Sequence, residues 1–170
     1  MVKSVGLPMI ARQDARVLIL GTLPGVAALR LQQYYAHQQN CFWKIMGEVI
    51  GFSPDLPYET RLGTLQSNRI AVWNVLAEAE RYGSVDANIK APVPNSFVPF
   101  FREHREIRAV CFNGQEAERL FRRFVMPSLT QQAASLPRSV LPSTSPANAR
   151  IRFGEKLSRW RKVLSHIGER

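Results

Sequence analysis

The segment "RVLIL" (16–20) runs directly into "GTLPG" (21–25), and this junction constrains the fold more than any other part of the chain. An unbroken apolar segment is typical of a strand that is buried on both faces of a parallel sheet. Gly21 and Gly25 permit tight turns and a close backbone approach, while Pro24 fixes the corner. The chain then becomes helical, so backbone N–H groups at this corner are expected to face a ligand.

Strand-like segments of this kind alternate with helical patterns along the whole chain. Strands are predicted at 16–20, 69–75, 107–114 and 138–143. Helices are predicted at 26–35, 41–52, 58–68, 75–83, 98–105, 115–125 and 151–167, and connections at 84–97 and 130–135. Such alternation predicts βαβ units and hence an α/β fold. We expect three α/β/α layers around a central four-stranded parallel sheet, in a single domain spanning 1–170.

The ends of these four strands carry the corners that matter for function. They read "GTLPG", "WNVL", "FNG" and "LPSTSPAN". In open parallel sheets, ligands bind beyond the carboxyl ends of the strands. The four corners are therefore expected to converge on one site.

The net charge of the chain indicates which class of partner it binds. The 170 residues include 23 Lys and Arg against 13 Asp and Glu, for a formal net charge of +10. Arginine dominates the excess, and its planar guanidinium suits bidentate contact with phosphate. The composition favours a polyanion, in particular nucleic acid, over the alternative of an ordinary basic surface.

Other function classes are excluded or disfavoured by what the sequence lacks. Its two cysteines, Cys41 and Cys111, lie far apart without a CxxC partner, which rules out a four-cysteine metal centre built from this chain alone. The three histidines show no metal-binding spacing. No apolar segment is long enough to cross a bilayer and no signal-type core is present, so a cytoplasmic location without membrane attachment is expected.

Taken in order, the corner motifs resemble the uracil-DNA glycosylase superfamily. The matching segments are "GTLPG", "HQQNCFWKIM" (37–46), "VWNVL" (72–76), "GSVDANI" (83–89), "CFNGQEA" (111–117) and "LPSTSPAN" (141–148). The resemblance spans roughly residues 16–165 and is closest to the hypoxanthine-DNA glycosylase branch. It implies hydrolysis of the N-glycosidic bond of a damaged base that is flipped out of double-stranded DNA. It also implies that no metal or cofactor is required. A monomer is expected because the substrate itself is the polyanion.

The resemblance assigns the catalytic role to Asn40. Many superfamily members hold the attacking water with Asp or Asn at the position of Leu23, which a leucine cannot do. The amide of Asn40 can orient a water instead, and positioning is sufficient when the base departs early through an oxocarbenium-like state. Asn40 can also cap the helix that follows it, and the two roles are compatible.

Base recognition is expected from the second strand end and from aromatic side chains. Asn74 lies where relatives carry a base-reading amide, although Asp is frequent there in the hypoxanthine branch; capping of the segment 75–83 is the alternative role. Among the nearby aromatic residues, Tyr35 and Phe42 are the preferred stacking partners of a base. Backbone groups of Gly21, Thr22 and Leu23 complete the predicted base pocket.

Contacts with the DNA backbone are expected mainly from "LPSTSPAN". Prolines stiffen this loop, and its hydroxyl and N–H groups can bind phosphates. The residues predicted to bind DNA are Pro24, Gly25, Gly114, Ser143, Thr144, Ser145, Pro146, Asn148 and Arg150. Leu141 stands where some relatives carry a histidine that stabilises the departing base. Asn113 and Gly114 are expected to form the turn between the third strand and its helix.

Three alternatives remain open from the sequence. A uracil or mismatch glycosylase is disfavoured by Leu23 and Leu141. A catalytically silent DNA-binding domain would retain the fold and the charge without turnover. A nucleotide-binding protein is disfavoured because "GTLPG" lacks the Lys and Ser/Thr of a P-loop and the third glycine of a dinucleotide fingerprint.

Overall fold

The structure is a computed structural model that describes residues 2–168; the ends of the predicted 1–170 unit lie outside the described residues. Its strands are β1 (Val2–Val5), β2 (Val17–Gly21), β3 (Ile70–Asn74), β4 (Leu76–Arg81), β5 (Lys90–Pro94), β6 (Ala109–Asn113) and β7 (Arg138–Leu141). Its α-helices are α1 (Val26–Leu31), α2 (Phe42–Ile50), α3 (Tyr58–Ser67), α4 (Phe97–Glu103), α5 (Gln115–Phe124), α6 (Gln131–Ala134), α7 (Phe153–Trp160) and α8 (Leu164–Ile167). None of the helices described is both long enough and apolar enough to cross a bilayer.

The predicted four-stranded parallel sheet is confirmed, with strand order β3-β2-β6-β7. All five residues of β2 are buried, as expected for a strand with neighbours on both edges and helices on both faces. Side chains alternate between the faces. Val17 and Ile19 of β2 pack with α2, α3 and α7, while Leu18 and Leu20 pack with α4 and α5. The three-layer α/β/α arrangement follows from these two apolar clusters.

A second, antiparallel sheet of order β1-β4-β5 was not predicted. The prediction of a helix at 75–83 is wrong, because β4 occupies Leu76–Arg81 between two strand partners. Alanine and glutamate favour helices, but backbone pairing on both sides of β4 outweighs that weak preference. The predicted connection 84–97 contains β5, whose prolines are tolerated because it is an edge strand.

Smaller differences concern helix ends. The helix predicted at 26–35 ends at Leu31, where Gln32 takes a left-handed backbone conformation. The predicted connection 130–135 contains the single turn α6, capped by the side chain of Thr130. The terminal helix predicted at 151–167 is divided into α7, a 3₁₀ turn and α8. The other predicted helices are present with ends shifted by at most two residues.

Candidate functional site

The carboxyl ends of the four parallel strands lie side by side, as predicted. Gly21 at the end of β2 pairs in register with Asn74 at the end of β3, and Asn113 at the end of β6 pairs with Leu141 at the end of β7. All four corner motifs therefore start from one edge of the sheet, which we call the carboxyl edge. The β2–β3 half of this edge differs in construction from the β6–β7 half.

Gly21 separates two polar side chains at the centre of the β2–β3 half. A Cβ atom added to Gly21 would lie 3.1 Å from the Tyr35 hydroxyl and 3.2 Å from Nδ2 of Asn74. No side chain larger than that of glycine fits there without displacing one of these groups. The predicted base-pocket residues Gly21, Tyr35 and Asn74 are thus brought into one cluster.

Two polar atoms of this cluster are buried without a hydrogen-bond partner. They are the Tyr35 hydroxyl and Oδ1 of Asn74. Burial raises the pKa of Tyr35 to about 12, so the hydroxyl stays protonated. The Asn113 side chain comes close enough to oppose this pKa shift but forms no hydrogen bond of normal geometry with the hydroxyl. The alternative capping role of Asn74 is excluded because β4, not a helix, follows it. Unpartnered buried polar atoms are rare in folded proteins, so these two are candidates for contact with a ligand.

The aromatic residues form a stack behind this cluster. The ring of Tyr35 lies on that of Phe42 with centroids 4.0 Å apart. Phe42 is fully buried and meets Trp43 and Trp160 edge-on. Phe42 therefore supports Tyr35 from behind, and Tyr35 is the ring nearer to the carboxyl edge.

The "GTLPG" corner is held by residues that the sequence did not single out. Asp86 accepts a hydrogen bond from the Thr22 hydroxyl (2.7 Å). Arg81, whose side chain is 1% exposed, donates to the carbonyl oxygens of Leu23 and Pro24 and lies 3.4 Å from Asp86. Burial raises the pKa of Asp86, while the Thr22 hydrogen bond and Arg81 oppose that shift.

The side chains of the corner itself point away from open space. Leu23 belongs to the apolar cluster under α4 and α5, and Pro24 is buried. The N–H of Val26 at the start of α1 donates to Oγ of Ser84 (2.9 Å). Backbone groups are consequently what the corner offers to a ligand. "GSVDANI" contained the anchoring residues Ser84 and Asp86, but only long-range packing shows what they bind.

Asn40 lies two residues before α2, and Cys41 occupies the N-cap position. The Oδ1 of Asn40 nevertheless accepts a hydrogen bond from the N–H of Phe42, the first residue of α2 (3.0 Å), so Asn40 contributes to the start of the helix from outside the predicted N-cap position. The N–H of Cys41 donates to the carbonyl oxygen of Thr144 (3.1 Å). Asn40 is thereby fixed between the aromatic stack and the β6–β7 half of the edge.

In the β6–β7 half, Asn113 clamps the loop that follows β7. Its amide donates to the Thr144 hydroxyl (2.9 Å) and accepts from the Thr144 N–H (2.9 Å). Gly114 has a φ of +97° and forms the predicted strand-to-helix turn, packed against Ser143. The strained positive φ explains why glycine occupies this turn.

The rest of "LPSTSPAN" is organised by short-range hydrogen bonds. Ser143 accepts from the N–H of Ser145, Ser145 accepts from that of Ala147, and Asn148 donates back to the carbonyl oxygen of Ser143. Pro146 and Arg150 are exposed. Within residues 2–168, no three His, Cys, Asp or Glu side chains are grouped so that they could hold a metal ion.

These features are those of an α/β protein built on a parallel sheet, and the carboxyl edge of that sheet is its candidate ligand site. Residues 8–165 match the family model described as the uracil DNA glycosylase superfamily. The chain belongs to this superfamily, as its motifs predicted.

Named relatives cover most of the chain. A hypoxanthine DNA glycosylase of Methanosarcina acetivorans is 35% identical over 165 residues, which are 95% of this chain and 98% of that protein. A second hypoxanthine DNA glycosylase, from Methanosarcina barkeri, is 34% identical over 116 residues, covering 68% of this chain and 73% of the relative. The solution NMR structure of a candidate uracil DNA glycosylase from Methanosarcina acetivorans superposes with a TM-score of 0.81 at 34% identity, covering 98% and 99% of the two chains.

Proposed function

We propose that this protein is a monofunctional DNA glycosylase that removes hypoxanthine from deoxyinosine in double-stranded DNA, as a step of base excision repair. The observation that carries the proposal is the pair of unpartnered buried polar atoms, the Tyr35 hydroxyl and Asn74 Oδ1, on either side of Gly21. The hypoxanthine activity named for the two relatives supports the choice of base.

Asn74 and Tyr35 would read the flipped base. Hypoxanthine presents an N–H donor and a carbonyl acceptor on one edge, and a carboxamide offers the complementary acceptor and donor. The protonated Tyr35 hydroxyl adds a donor, and its ring, supported by Phe42, adds a flat apolar surface. Backbone groups of Gly21, Thr22 and Leu23 would line the pocket, because the Thr22 and Leu23 side chains have other contacts.

Asn40 would orient the attacking water. Its Oδ1 keeps one lone pair after accepting from Phe42, and its Nδ2 remains a donor, so both can hold a water molecule. Neither can remove a proton outright. Orientation is sufficient if the C–N bond breaks largely before the water adds, as in oxocarbenium-like transition states. The departing base takes up the proton that balances the step.

The DNA strand would cross the carboxyl edge on phosphate contacts from both halves. Backbone groups near the edge would come from Pro24, Gly25 and Gly114. After β7, the contacts would come from Ser143, Thr144, Ser145, Pro146, Asn148 and Arg150. The net charge of +10 favours binding to the polyanion. The protein would act as a monomer at chromosomal DNA, without metal or cofactor.

The test is base release from end-labelled duplexes that contain one hypoxanthine, uracil or xanthine, followed by alkaline cleavage of abasic sites. We expect breaks at hypoxanthine that persist in EDTA and disappear in Asn40→Ala. Asn40→Asp keeps the oxygen that caps α2 and controls for folding. Asn68→Ala, at the end of α3, is the matched control and should keep full activity.

The outcomes distinguish the alternatives. Breaks at uracil instead of hypoxanthine would overturn the proposed base and favour the alternative of a uracil or mismatch glycosylase. Tight DNA binding without breaks at any of the three bases would support a silent binding domain and overturn the proposed activity. Equal activity of Asn40→Ala and the wild type would remove Asn40 from the mechanism.

A further inference from the structure

The segment between β4 and β5, residues 82–89, is called the hairpin loop here. It contains a 3₁₀ turn at Asp86–Asn88 and projects at the β2–β3 half of the carboxyl edge. Three side chains in or beside it hold the "GTLPG" corner: Arg81 binds its carbonyl oxygens, Ser84 accepts from Val26, and Asp86 accepts from Thr22. The hairpin loop and the corner therefore form one unit.

This unit exposes two large apolar side chains. Tyr82 is 76% exposed, the largest fraction of any large hydrophobic residue described, and Val85 is 55% exposed. The carbonyl oxygen of Tyr82 accepts a hydrogen bond from Asn88, which fixes the backbone while leaving the ring free. Two exposed apolar side chains on an anchored loop beside the candidate site make this surface a candidate for contact with a partner.

Position favours DNA as the occupant of this surface, and the charge of the hairpin loop does not oppose a polyanion. The one carboxylate of the hairpin loop, Asp86, is engaged by Thr22 and Arg81. The nearby exposed carboxylate of Glu80, on β4, stands opposite Lys90 in the strand register. No unpaired acidic group of the loop would repel a phosphate, and the surface adjoins the corner that the lesion must reach.

We propose that the hairpin loop is a second DNA-contacting element and that the ring of Tyr82 stacks on a base of the duplex beside the flipped nucleotide. The inference rests on the proposed function. Bases on both sides of a flipped nucleotide lose a stacking neighbour, and an aromatic ring restores that contact. The loop "LPSTSPAN" after β7 and the hairpin loop would then hold the DNA from the two ends of the carboxyl edge.

The test compares Tyr82→Ala, Tyr82→Phe and the wild type in binding a duplex with a stable abasic-site analogue, which requires no catalysis. We expect Tyr82→Ala to weaken binding by about 5- to 150-fold, the range reported for removing one base–aromatic stack. Tyr82→Phe should bind like the wild type, because the ring and not the hydroxyl makes the contact. Leu164→Ala on α8 is the matched control, since Leu164 is also an exposed apolar residue.

A second measurement keeps the test informative if Tyr82→Ala folds poorly. With 2-aminopurine beside the abasic analogue, wild type and Tyr82→Phe should quench its fluorescence, while Tyr82→Ser should not. Equal affinity and equal quenching in all variants would overturn the proposal. Because neither readout needs base release, a wild type that binds but releases no hypoxanthine would refute the proposed function alone.

Discussion

The two halves of the carboxyl edge are built in different ways. The β2–β3 half is held by a buried arginine and a partly buried carboxylate, and it leaves two buried polar atoms without partners. The β6–β7 half is held by neutral hydrogen bonds of Asn113 and by turns within "LPSTSPAN", and it exposes Pro146 and Arg150. Under the proposed function, the first half would bind the flipped base, while the second would offer backbone and hydroxyl groups to the DNA strand.

Removing Arg81 should have the largest effect, because it removes the anchor of the first half. Arg81→Met would remove the donor to the carbonyl oxygens of Leu23 and Pro24 and the cation beside Asp86, which would keep only its hydrogen bond from Thr22. We expect the free energy of unfolding to fall by about 3 kcal/mol, as when one partner of a buried charged contact is removed. Urea unfolding measures this loss.

The matched control for Arg81 is Arg119→Met. Arg119 is exposed and pairs with Glu116 on α5, so the expected loss is below about 1 kcal/mol. Arg81→Lys should recover part of the stability but not the full set of contacts, because an ammonium lacks the planar fork. Equal losses in Arg81→Met and Arg119→Met would contradict the idea of a charged anchor.

Gly21→Ala tests the pocket rather than the anchor. The new methyl group would enter the space between Tyr35 and Asn74, so the base should no longer seat correctly. We expect single-turnover release of hypoxanthine to fall by about 100-fold, the effect of a misplacement near 1 Å.

The control for this substitution is Gly63→Ala on α3. No atom lies within 4 Å of the added Cβ there, and alanine favours a helix, so activity should be unchanged and stability slightly higher. A Gly21→Ala variant with normal turnover would show that the base binds elsewhere.

Asn113→Ala should destabilise the β6–β7 half of the carboxyl edge. It removes both hydrogen bonds to Thr144, and we expect a loss of about 2 kcal/mol in unfolding free energy. Asn113→Asp retains an acceptor for the Thr144 N–H and should lose less. We also expect weaker binding to abasic DNA, measured by titration; unchanged affinity despite the lost stability would argue against a DNA-binding role of this loop.

The smallest expected effect is a difference between the two halves in how their contribution to the free energy of unfolding depends on pH. Burial raises the pKa of Asp86 above its usual 3.8, so its contribution to stability is greatest below that pH and decreases as pH rises through the folded-state pKa. Asp86→Asn lacks this titration and should gain stability relative to the wild type as pH rises from about 3.8 towards neutrality. Unfolding curves across that range test the sign, and Asn113→Asp provides the comparison for the other half.

The same contrast explains which parts of the site could be predicted from the sequence. Ser143, Ser145 and Asn148 bond to backbone groups within five residues, so their turn chemistry is visible in the local sequence. Thr22 and Asp86 are separated by 64 residues, and Arg81 and Pro24 by 57. Nothing in the local pattern around Arg81 indicates which carbonyl groups it will reach.

By itself, the sequence determined the parallel sheet, its alternating helices, the edge on which the corner motifs meet and the superfamily, because buried strands and glycine or proline corners are local properties. The tertiary structure alone decided that β4 is a strand, that Arg81 and Asp86 anchor the "GTLPG" corner, and that Tyr35 and Asn74 are left with unpartnered atoms. These features depend on contacts between distant segments. The free energy of these long-range contacts is gained only when the chain folds, and it then outweighs weak local conformational preferences.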